Sequence, residues 1–202
     1  MHDSPNDARL VLASISPFRR RMLEAAGLDF VAVAPGVDEA VLKRGLALAG
    51  PGEMALALAR AKAQAVSKRY TAPHVIGADQ VLALGSELFD KPPDIPTARR
   101  HLQRLRGRVH QLHTAAALAK AGEIVWSRIE VVTLVMRDFS DAFLDDYLER
   151  AGSSICSTVG GYEVEGLGSQ LFERMDGDHF TTVGLPLLAL LAELRALGVL
   201  PT

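Results

Sequence analysis

At 202 residues, 49% of them hydrophobic, the chain fits one globular unit, long enough to close a core and to divide into two lobes around it. Its 22 Lys plus Arg against 24 Asp plus Glu leave a net charge of −2, which excludes the electrostatic footprint needed to grip a long phosphate backbone. The single Cys156 excludes an intrachain disulfide framework and points to a reducing compartment.

Residues 1–7 lack the basic and apolar regions of a signal peptide, and the longest apolar stretch, 185–194, is short and interrupted by Pro186 and Glu193. The expectation is a soluble cytoplasmic protein with neither nucleic acid nor membrane as partner.

In chain order, residues 9–13 read as a strand. A helix follows to residue 26, with Ser16 as N-cap, Pro17 in the first helical position and Gly27 as terminator. Residues 30–33 form a second strand, and Val37-Asp38-Glu39 reads as extended chain. Pro51-Gly52 breaks the chain before an Ala-rich helix from Glu53 to about residue 69. A buried-looking strand then runs from His74 into Asp79-Gln80 and resumes at Val81. Lys91-Pro92-Pro93 is an extended loop and 95–105 a helix. Residues 109–119 and 124–136 alternate as two strands of a hairpin turning at Ala121-Gly122. Ser140 caps a helix to residue 149, a Gly-rich region spans 160–168, and a last helix covers 186–197. No repeat or linker divides the chain, so the reading is a single α/β domain over 1–202.

Asp79 carries the most information. A carboxylate inside a buried strand costs several kcal/mol, roughly, unless it is paired, bound to a cation or kept for chemistry. Ser14-Ile15-Ser16-Pro17-Phe18-Arg19-Arg20 sets hydroxyls, free backbone N–H groups and arginines at a helix N-terminus. That arrangement suits a phosphate, the alternative being ordinary capping beside a solvated basic face. Lys62 and Lys91 could each reach a cleft, or lie on the surface with their stems along apolar neighbours. If Glu39 converges with Asp79, Mg²⁺ would relieve their repulsion and bridge to phosphate oxygens. No G-x-x-x-x-G-K-[ST], G-x-G-x-x-G or H-E-x-x-H occurs. His110 and His113 fall on opposite faces of a strand, against a paired-histidine zinc site, and Cys156 has no basic neighbour to activate it.

Taken together, Leu12-Ala13-Ser14-Ile15-Ser16-Pro17-Phe18-Arg19-Arg20, Val37-Asp38-Glu39, Ala61-Lys62-Ala63, Ile76-Gly77-Ala78-Asp79-Gln80, Lys91-Pro92, Gly107-Arg108-Val109-His110, Gly160-Gly161-Tyr162 and Gly184-Leu185-Pro186-Leu187 resemble the Maf family of nucleoside triphosphate pyrophosphatases. The resemblance covers nearly the whole chain. It implies an elongated mixed sheet flanked by helices, two lobes around a nucleotide cleft, and commonly a homodimer. It further implies cleavage between the α and β phosphates, with a divalent metal, Mg²⁺ or Mn²⁺ in its place, yielding a nucleoside monophosphate and pyrophosphate. By position, Asp79 is the implied proton acceptor and a metal ligand with Glu39, while Ser14, Arg19, Lys62 and Lys91 line the phosphates.

In the family branch acting on dTTP and UTP, the positions matching Phe18, Gln80 and Glu165 hold Arg, Thr and Gln. In the branch acting on 7-methyl-GTP they hold an aromatic, Gln and Glu, so this chain resembles the latter, with Phe for the more usual Trp. A ring face stacks on a cationic purine and a carboxylate accepts from guanine N–H donors; core packing of Phe18 and a solvated Glu165 are the alternatives. Asp90 stands where Gly is typical and Val109 where Thr is frequent, and residues 160–165 read Gly-Gly-Tyr-Glu-Val-Glu in place of the usual run of the 7-methyl-GTP branch, which leaves a third branch of broad or different base preference open. The expected role is the clearance of modified or noncanonical nucleotides. A nucleotide-binding regulatory module affecting cell division is the rival from another class.

Overall fold

The computed structural model describes Pro5, residues 8–46 and residues 48–202. The N-terminal segment read above for a signal peptide, Pro5 apart, lies outside the described residues. The elements are β1 (Leu10–Ala13), α1 (Pro17–Ala25), β2 (Val31–Val33), α2 (Glu39–Gly45), α3 (Pro51–Ser67), β3 (His74–Leu84), β4 (Glu87–Phe89), α4 (Ile95–Leu105), β5 (Val109–Lys120), β6 (Glu123–Met136), α5 (Asp141–Ala151), β7 (Phe172–Asp176), α6 (His179–Val183) and α7 (Leu187–Ala196). Short 3₁₀ turns over Gly152–Ser157, Val159–Gly161 and Leu167–Leu171 fill the region after α5. The mixed sheet has the hydrogen-bonded order β2-β1-β3-β5-β6-β7, with β4 paired to β3, and helices flank it.

Two compact units divide the chain, one of residues 1–80, 114–130 and 184–202, the other of 81–113 and 131–183, so the division falls within β3, β5 and β6. In the first, β1 pairs in parallel with both β2 and β3, matching Leu12 to Ala32 and to Ile76. All four β1 residues are buried, as a strand with parallel neighbours on both sides requires. Val11, Ala13, Val66 and Val75 pack together in this unit. The second unit has the larger apolar cluster, with Leu82, Phe89, Leu102, Leu112, Leu134, Met136 and Leu171 at its centre.

Local signals account for the helix ends. The Ser16 hydroxyl accepts from the Arg19 amide, Pro17 opens α1, and Gly27 at φ +75° closes it while the Gly27 and Leu28 amides donate to the Glu24 and Leu23 carbonyls. Two expectations are corrected. Val37-Asp38-Glu39 is not extended throughout, because the Asp38 carboxylate accepts from the Val41 amide at 3.0 Å and Glu39 opens α2. β3 is one uninterrupted strand through Asp79 and Gln80. Of the two placements open to Lys62, the structure has the inward one, with the residue only 5% exposed.

Gly77 explains how β3 meets α3. A Cβ there would lie 2.2 Å from the Ala59 carbonyl oxygen and 2.5 Å from the Ala63 nitrogen, both backbone atoms of the helix. Strand and helix therefore touch backbone to backbone, which only glycine permits. Asp79, two residues on, faces the same side of β3.

Candidate active site

The close approach of α3 to β3 sets Lys62 against Asp79. Its ammonium donates to Asp79 Oδ1 at 2.6 Å and lies 2.8 Å from Glu39 Oε1, so one buried cation joins two carboxylates. Asp79 is buried with it, whereas the Glu39 side chain keeps 43% of its exposure and opens the group to solvent. Burial pushes the Glu39 carboxyl up, but the hydrogen bond and charge of Lys62, with Lys43 and Arg19, outweigh it and hold the group below its ordinary value.

Arg19, on the first turn of α1, belongs to the same electrostatic group. Burial lowers its guanidinium from the ordinary value, and the negative charges of Asp79 and Glu39 work the other way. Its Nε donates to the Gly184 carbonyl at 2.8 Å. Ser14 is buried at the end of β1, its hydroxyl accepting from the Ser16 amide at 3.1 Å. The first unit thus brings together Arg19, Glu39, Lys62 and Asp79, with Ser14 at the entrance to the α1 N-terminus.

The residues expected to read the base have other partners. Successive strand residues face opposite sides, so Gln80 points away from the face of Asp79, and its amide donates to the buried Thr114 hydroxyl on β5 at 2.8 Å. Phe18 is half-buried, with the Arg21 guanidinium over its ring at 4.9 Å. Lys91 and Glu165 belong to the second unit and are exposed. Glu165 meets His179 Nε2 at 3.2 Å. Gly77, Thr114 and Gly184 were not assigned roles in the sequence. Their signal is the company they keep, a glycine two residues before the carboxylate and a Gly-Leu-Pro run before the last helix.

Among the described residues no cluster of His, Cys, Asp and Glu supplies the whole ligand set of a metal ion. Two converging carboxylates are hard oxygen donors that suit a divalent cation completing its shell with phosphate oxygens and water. A family model described as Maf-like protein matches residues 9–197. The chain belongs to the Maf family. A 7-methyl-GTP pyrophosphatase of Mesorhizobium japonicum is 48% identical over 95% of this chain and 98% of its own. A nucleoside triphosphate pyrophosphatase of Bradyrhizobium diazoefficiens is 47% identical over 93% of each. Another protein of that name, from Maricaulis maris, is 48% identical over 95% of this Maf-family chain and 98% of its own.

Proposed function

We propose that this chain is a nucleoside triphosphate pyrophosphatase that cleaves between the α and β phosphates and releases a nucleoside monophosphate and pyrophosphate. The observation that carries the reading is the buried Lys62 ammonium joined to Asp79 and Glu39, with the Arg19 guanidinium in the same electrostatic group. Relatives of the same family, alike over nearly their whole length, bear the names of such enzymes, which favours turnover over a purely regulatory nucleotide-binding role.

In this reading Asp79 accepts the proton of the attacking water, oriented by its bond to Lys62. Arg19 and Lys62 offset the charge that develops on the leaving pyrophosphate, and Ser14 with the α1 N-terminus holds phosphate oxygens. Glu39 and Asp79 would hold a divalent cation, Mg²⁺ or Mn²⁺, which supplies further charge neutralisation on the phosphates. Lys91 as a phosphate ligand and Phe18, Gln80 and Glu165 as base readers rest on the family resemblance. The proposed preference is 7-methyl-GTP. The relatives bearing that name and those with the general name are equally alike to this chain, so identity by itself does not choose the base. A cytoplasmic role in clearing modified nucleotides, as a homodimer, completes the proposal.

The test is a product assay on 7-methyl-GTP, GTP, dTTP, UTP and CTP with Mg²⁺, resolving pyrophosphate from orthophosphate. Asp79→Asn is expected to lower pyrophosphate release by roughly a hundredfold or more, in keeping with loss of a general base. Full turnover in that variant would sink the assignment of Asp79, and orthophosphate as the product would replace the reaction class.

A further inference from the structure

The Gly184-Leu185-Pro186-Leu187 run has no part in the chemistry above, yet its backbone is built around one carbonyl. Gly184 sits at φ +128°, a conformation that L side chains rarely adopt, and is buried. Leu185 is fully buried. Pro186, at φ −73° and ψ 72°, makes an inverse γ-turn closed by the Leu187 amide on the Leu185 carbonyl at 2.8 Å, and α7 begins at once. Glycine supplies a backbone angle other residues resist, and proline fixes the next bend. Between them the Gly184 carbonyl oxygen is directed at Arg19 Nε, 2.8 Å away.

We propose that Gly184 is a positioning residue for Arg19, its carbonyl oxygen holding the guanidinium by Nε so that the two terminal nitrogens address the phosphate chain of the substrate. A guanidinium has a rigid planar fork, so a bond at Nε sets the direction of both remaining nitrogens together. Lysine has no donor corresponding to Nε and loses this alignment. Arg19 also lies within reach of two carboxylate charges, those of Asp79 and Glu39. In the proposed arrangement the neutral carbonyl takes Nε and leaves the two terminal nitrogens for phosphate. The inference rests on the proposed phosphate role of Arg19, and the experiment separates the two.

Affinity for inorganic tripolyphosphate with Mg²⁺ is measured by calorimetry, beside kcat and KM for nucleoside triphosphates, in the wild type, Gly184→Ala, Arg19→Lys and the double variant. Gly184→Ala is expected to weaken tripolyphosphate binding about tenfold and to raise KM more than it lowers kcat. In the Arg19→Lys background the same substitution is expected to change binding less than about twofold, because its effect passes through the arginine. An equal loss in both backgrounds, or no loss in either, overturns the proposal. Should Gly184→Ala fold poorly, Pro186→Ala loosens the same turn without a residue at φ +128° and is expected to give a smaller effect that also vanishes with Arg19→Lys. Wild type that binds tripolyphosphate but releases no pyrophosphate from any nucleotide refutes the activity and leaves the Gly184 cycle to be judged on binding. Wild type that does not bind tripolyphosphate overturns the inference.

Discussion

Removing the Lys62 ammonium leaves the buried Asp79 carboxylate facing Glu39 with no cation between them. Breaking a buried pair in this way costs about 3 kcal/mol or more, well above the value of an exposed ion pair. Lys62→Met is therefore expected to lower unfolding free energy by about that amount in denaturant titrations, and to abolish turnover. Lys62→Arg, which keeps the charge but is bulkier than the site built around a lysine 5% exposed, should be intermediate in stability. Equal stability of Lys62→Met and wild type would mean that the carboxylates find another cation or relax into solvent. Among the site residues, Asp79 was legible as significant because a carboxylate in a buried strand demands a partner. The identity of that partner was not legible. Lys62 sits in an Ala-rich helix where a lysine on the surface is the ordinary outcome, and only the depth of contact at Gly77 turns it inward.

That contact belongs to the scale of elements. Gly77→Ala would press a methyl group into the α3 backbone, where the nearest atoms cannot rotate away as a flexible side chain would. The strand must move off the helix, at a cost on the order of 3 kcal/mol, typical of overpacking at its upper end. A matching loss of melting temperature is expected, with activity falling further than stability because Lys62 and Asp79 are drawn apart. Unchanged kcat in a destabilised Gly77→Ala would separate the packing from the site. The elements with strong local punctuation were legible: α1 between Ser16-Pro17 and Gly27, and the β5–β6 hairpin, whose Ala121 and Gly122 lie at φ +49° and +87°. α2 was missed because Asp38-Glu39 looks like extended chain until Asp38 is recognised as a cap. β4, β7 and α6 were missed because, at three to five residues, they lack the unbroken apolar runs that mark the equally short β1 and β2.

Over the whole molecule, buried His110 and three partly buried histidines contribute to the response to acid. His110, 1% exposed and 3.0 Å from the Tyr162 hydroxyl, is lowered by burial to about 4, with hydrogen bonding to the Arg108 backbone working the other way. Burial also lowers His74, His101 and His113. Below pH 6.5 the unfolded chain takes up protons that the folded chain refuses, so stability is complete above that pH and falls as pH descends toward 4. Between pH 8 and pH 5 the His110 share is about 2 kcal/mol by linkage, and urea unfolding of His110→Gln should show a correspondingly shallower decline. An unchanged slope would transfer the effect to the other histidines. No helix among the described residues is long and apolar enough to cross a membrane. The arrangement around Lys62 has one more consequence. Because the chain carries its own ammonium between Glu39 and Asp79, the fold has no need of a metal to quench their repulsion. Treatment with a chelator is then expected to silence catalysis while lowering the thermal transition only by the modest share that ion binding adds, so that inactive, metal-stripped protein would still be native protein, restored at once by returning the ion.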